Sequence, residues 1–219
     1  MPDAIGRSLS PIAPQKEDLN RKEREEAMSR FFGSAMQTAF VVRNIDEQIH
    51  RCVEVGIGPF FVDPNLTLRM RYRGERREVS VSIAIAYSGS MMYEYIEPLD
   101  DTPSPYSDFL VENPAGGMHH LAYFCDDYDE VLAQAKSCGG DFDIVMELYT
   151  ADGSLMEIYL EPKNRPDAIL SQLIVESLFG DFFKKAEAAA AEWDGTNPVR
   201  PLFDLLPPSF AAAGDLTTR

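Results

Sequence analysis

Four polar residues lie inside otherwise apolar stretches of this chain, at positions that pair with one another. Gln37 and His120 each stand near the start of a β-rich stretch, and Glu94 and Glu157 each lie in a later one. One imidazole, two carboxylates and one amide oxygen suit a borderline or hard divalent ion, namely Zn, Ni, Co, Mn or Mg. Such an ion polarises a carbonyl and stabilises an enolate, while a nearby carboxylate moves the α-proton. Glu157 and Glu94 are the candidate bases.

An internal repeat relates these residues and predicts one metal-binding centre. The stretch from Met36 to Gly56 resembles that from His119 to Gly139, and at this spacing Gln37 falls on His120. Polar groups buried without partners are costly, and a divalent cation removes that cost. The alternative for each residue alone is an ordinary hydrogen-bonded side chain. Adjacent strand residues face opposite sides, so only one of the two histidines is expected to be a ligand, and the repeat selects His120.

The elements that position these residues follow from periodicity. Alternation predicts strands over residues 36–43, 66–73, 79–87 and 91–96, and helical spacing predicts a helix from Asp46 to Val55. Residues 34–100 therefore form a β-α-β-β-β module, which a linker (101–116) joins to a second module over residues 117–162.

The second module is expected to be the shorter one. Glu157 follows Glu94 by only 63 residues, whereas the repeat predicts 83, so about one hairpin is missing. The predicted fold is α+β, with paired βαβββ modules, the second shortened, forming a curved mixed sheet around a metal cup.

The two ends of the chain lie outside the predicted modules. Residues 1–33 are expected to be a charged arm, and residues 163–219 a helical C-terminal extension. Within the extension, residues 167–192 have the apolar spacing of an amphipathic helix or a pair of helices, including Leu173 and Phe183. Two roles remain open for this segment, a lid over the modules or a dimer contact, and a homodimer is expected.

Composition limits the partners of the protein. The net charge of −16 opposes binding to a phosphate backbone, so nucleic acid is not expected. No apolar run is long enough to cross a bilayer, the N-terminus lacks a signal-peptide core, and three cysteines without close spacing indicate reduced thiols. The sequence therefore predicts a cytoplasmic protein with a small-molecule substrate and no membrane partner.

Three segments carry a resemblance to a known family. They are Gly117-Met118-His119-His120-Leu121-Ala122-Tyr123, Ile96-Glu97-Pro98-Leu99 and Leu155-Met156-Glu157-Ile158. The chain resembles the vicinal oxygen chelate superfamily over residues 35–162, and these segments resemble those of methylmalonyl-CoA epimerases. The resemblance implies paired modules around one divalent metal, with ligands at Gln37, Glu94, His120 and Glu157. That residue set is similar to the one in many glyoxalase I enzymes.

The predicted activity is that of a metal-dependent isomerase, epimerase or lyase that moves a proton next to a carbonyl through a metal-stabilised enolate. The substrate is expected to be a hydrophobic carbonyl compound or an acyl-CoA thioester. Arg69 and Arg71 are candidates for binding phosphates, and Tyr95 and Phe109 for lining a hydrophobic pocket. Two alternatives remain, a non-catalytic small-molecule binding protein of the same fold and a ring-cleaving dioxygenase.

Overall fold

Each half of the chain folds into one strand, one helix and three further strands. The computed structural model describes residues 31–150, 152–165 and 168–205. The first half comprises β1 (Gln37–Val41), α1 (Ile45–Glu54), β2 (Phe60–Tyr72), β3 (Glu75–Ser88) and β4 (Met91–Pro98). A connecting helix and the second half follow as α2 (Pro105–Glu112), β5 (Gly117–Cys125), α3 (Tyr128–Ser137), β6 (Phe142–Tyr149), β7 (Leu155–Pro162) and β8 (Leu170–Val175). The chain continues as α4 (Glu176–Ala191), β9 (Val199–Pro201) and a short 3-10 helix (Leu202–Leu205).

The repeat extends to the way each half starts its helix. The side chain of Asn44 accepts a hydrogen bond from the backbone of Glu47 at the start of α1. Asp127, at the corresponding position before α3, accepts hydrogen bonds from the backbone of Asp129 and Glu130. Such caps pair backbone N–H groups that a helix start leaves without partners. Local sequence therefore sets the same strand-to-helix turn twice.

The strands form one mixed, curved sheet whose first eight members close into a ring. Their order is β3-β4-β1-β5-β8-β7-β6-β2, and β2 also pairs with β3. Each half contributes four adjacent strands, and the halves meet where β1 pairs with β5 and where β2 pairs with β6. β9 adds a short parallel strand beside β2.

The second module is complete, which corrects the expectation that it is shortened. β8 pairs in parallel with β5, as β4 pairs with β1. Residues 170–175 were predicted to belong to an amphipathic helix, but they form this fourth strand, and the helix begins only at Glu176. The sequence misleads here because six residues suffice for a strand, and α4 follows with no side-chain cap to mark its start.

The core has separate inner and outer parts. Inside the ring, alternate strand residues such as Val41, Ile85 and Ile174 pack together with Tyr106 of α2 and Phe183 of α4. Helices α1 and α3 cover the outer surface of the sheet, in two smaller apolar clusters. The C-terminal helix therefore packs onto the interior core of its own chain. The predicted N-terminal arm lies almost entirely outside the described residues. No helix in the described part of the chain is long and apolar enough to cross a membrane.

Gly116 fixes the entry into β5, and we expect its replacement to be costly. Its φ is +75°, and an added Cβ would lie 2.5 Å from the Val41 carbonyl oxygen. Gly74 has a similar φ of +86° but open space around its Cα. We expect Gly74→Ala to lower the free energy of unfolding by about 1 to 2 kcal/mol, and Gly116→Ala by about 1 to 3 kcal/mol more. Urea unfolding of both variants measures the difference, and equal losses would contradict the expected clash.

Candidate metal centre

Five polar side chains from both modules meet in the interior of the ring. They come from five different strands and are Gln37 (β1), Glu94 (β4), His120 (β5), Glu157 (β7) and Gln172 (β8). The two glutamines and the histidine are buried, and the Glu94 side chain is only 14% exposed. The structure therefore brings together Gln37, Glu94 and His120, which the sequence predicts to converge. Gln172 is a member that sequence reasoning missed.

Strand register shows that Gln172, and not Glu157, is the counterpart of Glu94. Ala39 lies opposite Glu94 in the β1–β4 pair, and its repeat equivalent Ala122 lies opposite Gln172 in the β5–β8 pair. Glu157 lies on the neighbouring strand β7, opposite Ile174. The predicted pairing of Glu157 with Glu94 is thus corrected. In the sequence, the sign of this counterpart was a polar residue, Gln172, within the apolar segment Leu170–Val175.

A bulge in β5 brings His119 inside as well, contrary to the alternation rule used on the sequence. Ala39 pairs with His120 but Phe40 pairs with Met118, so His119 is an extra residue between two pairs. A bulge of this kind interrupts the alternation of side chains across a strand. Both histidines are buried, and their Nδ1 atoms are 2.9 Å apart.

Hydrogen bonds connect the cluster in two groups. The Gln37 amide nitrogen donates to Glu94 Oε2 at 2.6 Å, and His120 Nε2 lies 3.4 Å from the same oxygen. In the second group, the Gln172 amide nitrogen donates to Glu157 Oε2 at 2.7 Å. The Gln172 carbonyl oxygen is buried and makes no hydrogen bond, although the side chain lies near the His120 ring.

Burial changes the protonation of the acids and of the imidazole. It raises the pKa of Glu94 to about 8, against the smaller lowering effect of the Gln37 hydrogen bond. It also raises the pKa of Glu157 to about 7, with a further contribution from the charge of Glu94. For His120, burial lowers the pKa to about 3, so the ring is neutral at physiological pH. A neutral imidazole is the form that binds metals.

These donors fit a divalent cation. A buried carbonyl oxygen without a donor and two largely buried carboxyls, one of them beside an imidazole, are costly arrangements that a cation stabilises. Gln37, Glu94, His120 and Gln172 would hold it, with nitrogen and oxygen donors suited to Zn, Ni, Co, Mn or Mg. Within residues 31–150, 152–165 and 168–205, no three His, Cys, Asp or Glu side chains form such a site by themselves. Amide oxygens are therefore essential to it.

The candidate substrate residues are spread over different surfaces. Arg69 and Arg71 point out of the ring, where they pair with Glu78 and Glu147. Arg69 also lines a surface cavity of about 390 Å³ together with Arg76 and Arg77. Tyr95 packs on the outer surface against α1, because it alternates with Glu94, and its hydroxyl contacts Cys52 Sγ at 3.1 Å. Phe109 alone is close to the cluster, with its ring 5.2 Å from that of His119.

The raised pKa values predict how the metal-free chain responds to pH. The pKa of each carboxyl in the folded state is above the ordinary value of 4.5, so both groups bind protons more tightly in the folded than in the unfolded protein. Their contribution to stability is therefore present below pH 4.5 and is lost as pH rises through about 7 to 8. We expect Glu94→Gln to reduce this loss by about 2 kcal/mol or more between pH 5 and pH 8.5. Urea unfolding of chelator-treated protein tests it, and parallel pH curves for variant and wild type would contradict it.

Several solved structures are similar to this chain at low sequence identity. Similar solved structures include a hypothetical protein from Bacillus halodurans C-125, which is 20% identical, covers 65% of this chain and 93% of its own, and has a TM-score of 0.44. A methylmalonyl-CoA epimerase from Mycobacterium tuberculosis is 15% identical, with coverage of 66% and 89% and a TM-score of 0.44. A Streptomyces coelicolor methylmalonyl-CoA epimerase variant in complex with 2-nitronate-propionyl-CoA is 18% identical, with coverage of 66% and 94% and a TM-score of 0.46.

A search of curated proteins finds no match. The family model for the Glyoxalase/Bleomycin resistance protein/Dioxygenase superfamily matches residues 36–153, more than half of the chain. The chain therefore belongs to the Glyoxalase/Bleomycin resistance protein/Dioxygenase superfamily.

Proposed function

We propose that this protein is a metal-dependent isomerase, epimerase or lyase that moves a proton on the carbon next to a carbonyl. The observation that carries the proposal is the buried cluster in which Glu94, His120 and Gln172 meet Glu157 inside one ring of strands. A neutral imidazole, amide oxygens and a carboxylate supply a cation site, and a second carboxyl lies beside it. Few structural roles require this combination in an apolar interior.

The roles of the two glutamates differ. Glu94 occupies the repeat position and touches His120, so it belongs to the set that would hold the metal. Glu157 lies outside that symmetric set, and its Oε2 accepts a hydrogen bond from Gln172, which leaves Oε1 to take and return a proton. Its pKa of about 7 is close to the value at which a carboxyl exchanges protons efficiently at neutral pH. When bound, a divalent ion would supply the Lewis acid that polarises the substrate carbonyl.

The surroundings of the cluster favour a substrate with an apolar part. The rings of Tyr106, Phe109 and Tyr159 lie around the two histidines, and the phenylalanines of α4 pack into the same interior. Such a lining excludes water from the proton being moved. We propose a hydrophobic carbonyl compound or an acyl-CoA thioester, with the arginines around the Arg69 cavity as the candidate phosphate contacts of the latter.

Metal analysis combined with isotope exchange tests this function. Purified wild type should contain or take up close to one divalent ion per chain after incubation with Zn, Ni, Co or Mn. His120→Ala and Glu94→Ala should lose it, while His50→Ala, a change of an exposed histidine on α1, should keep it. Loaded wild type is then incubated in deuterium oxide with methylmalonyl-CoA or phenylacetone, and α-deuteration is followed by mass spectrometry. A wild type that takes up none of these metals would overturn the proposal.

A non-catalytic binding protein is the second candidate. Two of the four symmetric positions carry amides, and in the described residues no site of three acids or imidazoles exists without them. A protein that binds a small molecule in the ring without a metal would tolerate such a set. Metal-free wild type that binds phenylacetone or methylmalonyl-CoA but exchanges no proton would support this alternative. Ring-cleaving dioxygenase chemistry fits less well, because an Fe(II) site of two histidines and one carboxylate needs a second histidine where Gln37 lies.

A further inference from the structure

We propose that His119 is a positioning residue that holds the His120 ring in the tautomer whose Nε2 carries no proton. The inference rests on the proposed function, because His120 is the imidazole that would bind the metal. It also assigns a role to a buried histidine that the proposed chemistry does not itself use.

The bulge in β5 is what makes the contact between the two rings possible. In a regular strand the two adjacent side chains would lie on opposite faces. Here the extra residue turns both inward, and His119 Nδ1 lies 2.9 Å from His120 Nδ1. At this distance one nitrogen must donate a hydrogen bond and the other must accept it. The direction of that bond decides which ring nitrogen of His120 carries no proton.

A polar contact on the other side of the His120 ring sets the direction. His120 Nε2 lies 3.5 Å from the amide nitrogen of Gln37, which can only donate a hydrogen bond. His120 Nε2 is therefore the acceptor in that contact, and the one proton of the neutral, fully buried ring is on Nδ1. His119, which is 4% exposed and lies among aromatic rings, accepts that proton's hydrogen bond at its own Nδ1.

The direction of this hydrogen bond determines which nitrogen of His120 can bind a metal. If His119 Nδ1 accepts, His120 Nδ1 must carry the proton, and His120 Nε2 has a free lone pair. That nitrogen is the one that faces Glu94 Oε2 at 3.4 Å. Metal-binding imidazoles commonly donate their other N–H to a neighbouring acceptor, which fixes both tautomer and ring orientation. Here the neighbouring acceptor is the buried His119.

Packing holds the His119 ring in the required orientation. Its centroid lies 5.5 Å from that of Tyr106 and 5.2 Å from that of Phe109, the latter edge-on at 87°. Both aromatic residues belong to α2. One short helix therefore fixes the position of the His119 ring.

Nitrogen NMR of the metal-free, full-length protein tests the tautomer directly. The chain has only three histidines, and His50→Ala removes the signal of the one outside the cluster. Long-range proton–nitrogen correlation distinguishes a protonated Nδ1 from a protonated Nε2. We expect His120 in wild type to show a protonated Nδ1 and a bare Nε2. A protonated Nε2 on His120 would overturn the inference.

Two substitutions of His119 separate positioning from packing. His119→Phe keeps an aromatic ring but removes the acceptor, and we expect a mixture of His120 tautomers and about 10- to 100-fold weaker Zn²⁺ binding. His119→Gln keeps an acceptor oxygen and should preserve the Nδ1–H tautomer and bind Zn²⁺ within about 3-fold of wild type. If His119→Phe binds Zn²⁺ as tightly as wild type, the inference fails. If His119→Phe does not fold, the wild-type spectrum and the His119→Gln affinity decide the question.

This experiment distinguishes the inference from the proposed function. A wild type with the expected tautomer that binds no Zn²⁺, Ni²⁺, Co²⁺ or Mn²⁺ would overturn the metal-dependent function and leave the His119–His120 arrangement intact. A wild type that binds metal but shows the opposite His120 tautomer would overturn only the role of His119.

Discussion

Replacing Glu157 by glutamine is expected to lower the rate of α-proton exchange by about 100-fold or more, while metal affinity changes little. Glutamine keeps the shape of the side chain but has no carboxyl oxygen that takes up a proton at neutral pH. Glu157 lies on β7, outside the four repeat positions, so the residues that would hold the metal remain in place. Deuterium incorporation into methylmalonyl-CoA or phenylacetone, with metal content measured on the same sample, gives both quantities.

Glu161→Gln is the matched control for this prediction. Glu161 lies on the same strand but pairs with Asp143 at the end of the β6–β7 ladder. Its replacement should leave exchange within about 3-fold of wild type, because a solvent-accessible carboxyl at the end of a strand moves no buried proton. If Glu157→Gln retains full exchange, proton transfer belongs to another group. If it loses metal as well, Glu157 is a ligand and the repeat argument for Gln172 is wrong.

Replacing Gln172 by glutamate is expected to destabilise the metal-free protein by about 3 kcal/mol at pH 8. The Gln172 amide donates to Glu157 at 2.7 Å, and the substitution exchanges that hydrogen bond for two carboxyls in contact. At pH 5 the pair keeps a proton, so the loss should be much smaller. Saturating Zn²⁺ should restore most of the stability at pH 8, since the introduced carboxylate would repeat in the second module the one that Glu94 provides in the first.

Urea unfolding at the two pH values, with and without Zn²⁺, measures these effects. Gln134→Glu, on the exposed side of α3, introduces the same charge away from the cluster and should change stability by less than about 0.5 kcal/mol at either pH. A Gln172→Glu protein with the same pH dependence as Gln134→Glu would show that the position is not coupled to Glu157.

Much of the candidate site was predictable because the two repeats align without a gap from the first strand through the helix, up to Gly56 and Gly139. Gln37 and His120 occupy equivalent positions 83 residues apart, and Glu94 follows in an apolar strand. The fourth position was not found in this way, because Gln172 lies 78 residues after Glu94 and hairpins of different length separate them. Glu157, in a segment that resembles the first module, was the more conspicuous choice. Only the hydrogen-bonded pairing of β8 with β5 shows that Gln172, and not Glu157, corresponds to Glu94.

The place of His119 depends on a feature that periodicity does not contain. Alternation assigns adjacent residues to opposite faces, and for Glu94 and Tyr95 the rule holds, since one points inside and the other packs on α1. For His119 and His120 it fails because the bulge inserts one residue between regular pairs. A bulge arises from how two strands fit together, so the local sequence of β5 gives little sign of it.

The closed ring of strands has a consequence for mixtures of defective subunits. Because β1 pairs with β5 and β2 with β6 within one chain, the residues of both modules reach the cluster without a second copy. Two inactive variants, one altered at Glu94 and the other at His120, should therefore fail to complement each other when they are unfolded together and refolded as a mixture. If the cluster were shared between subunits, hybrid assemblies would contain some intact sites and would recover a measurable fraction of the activity.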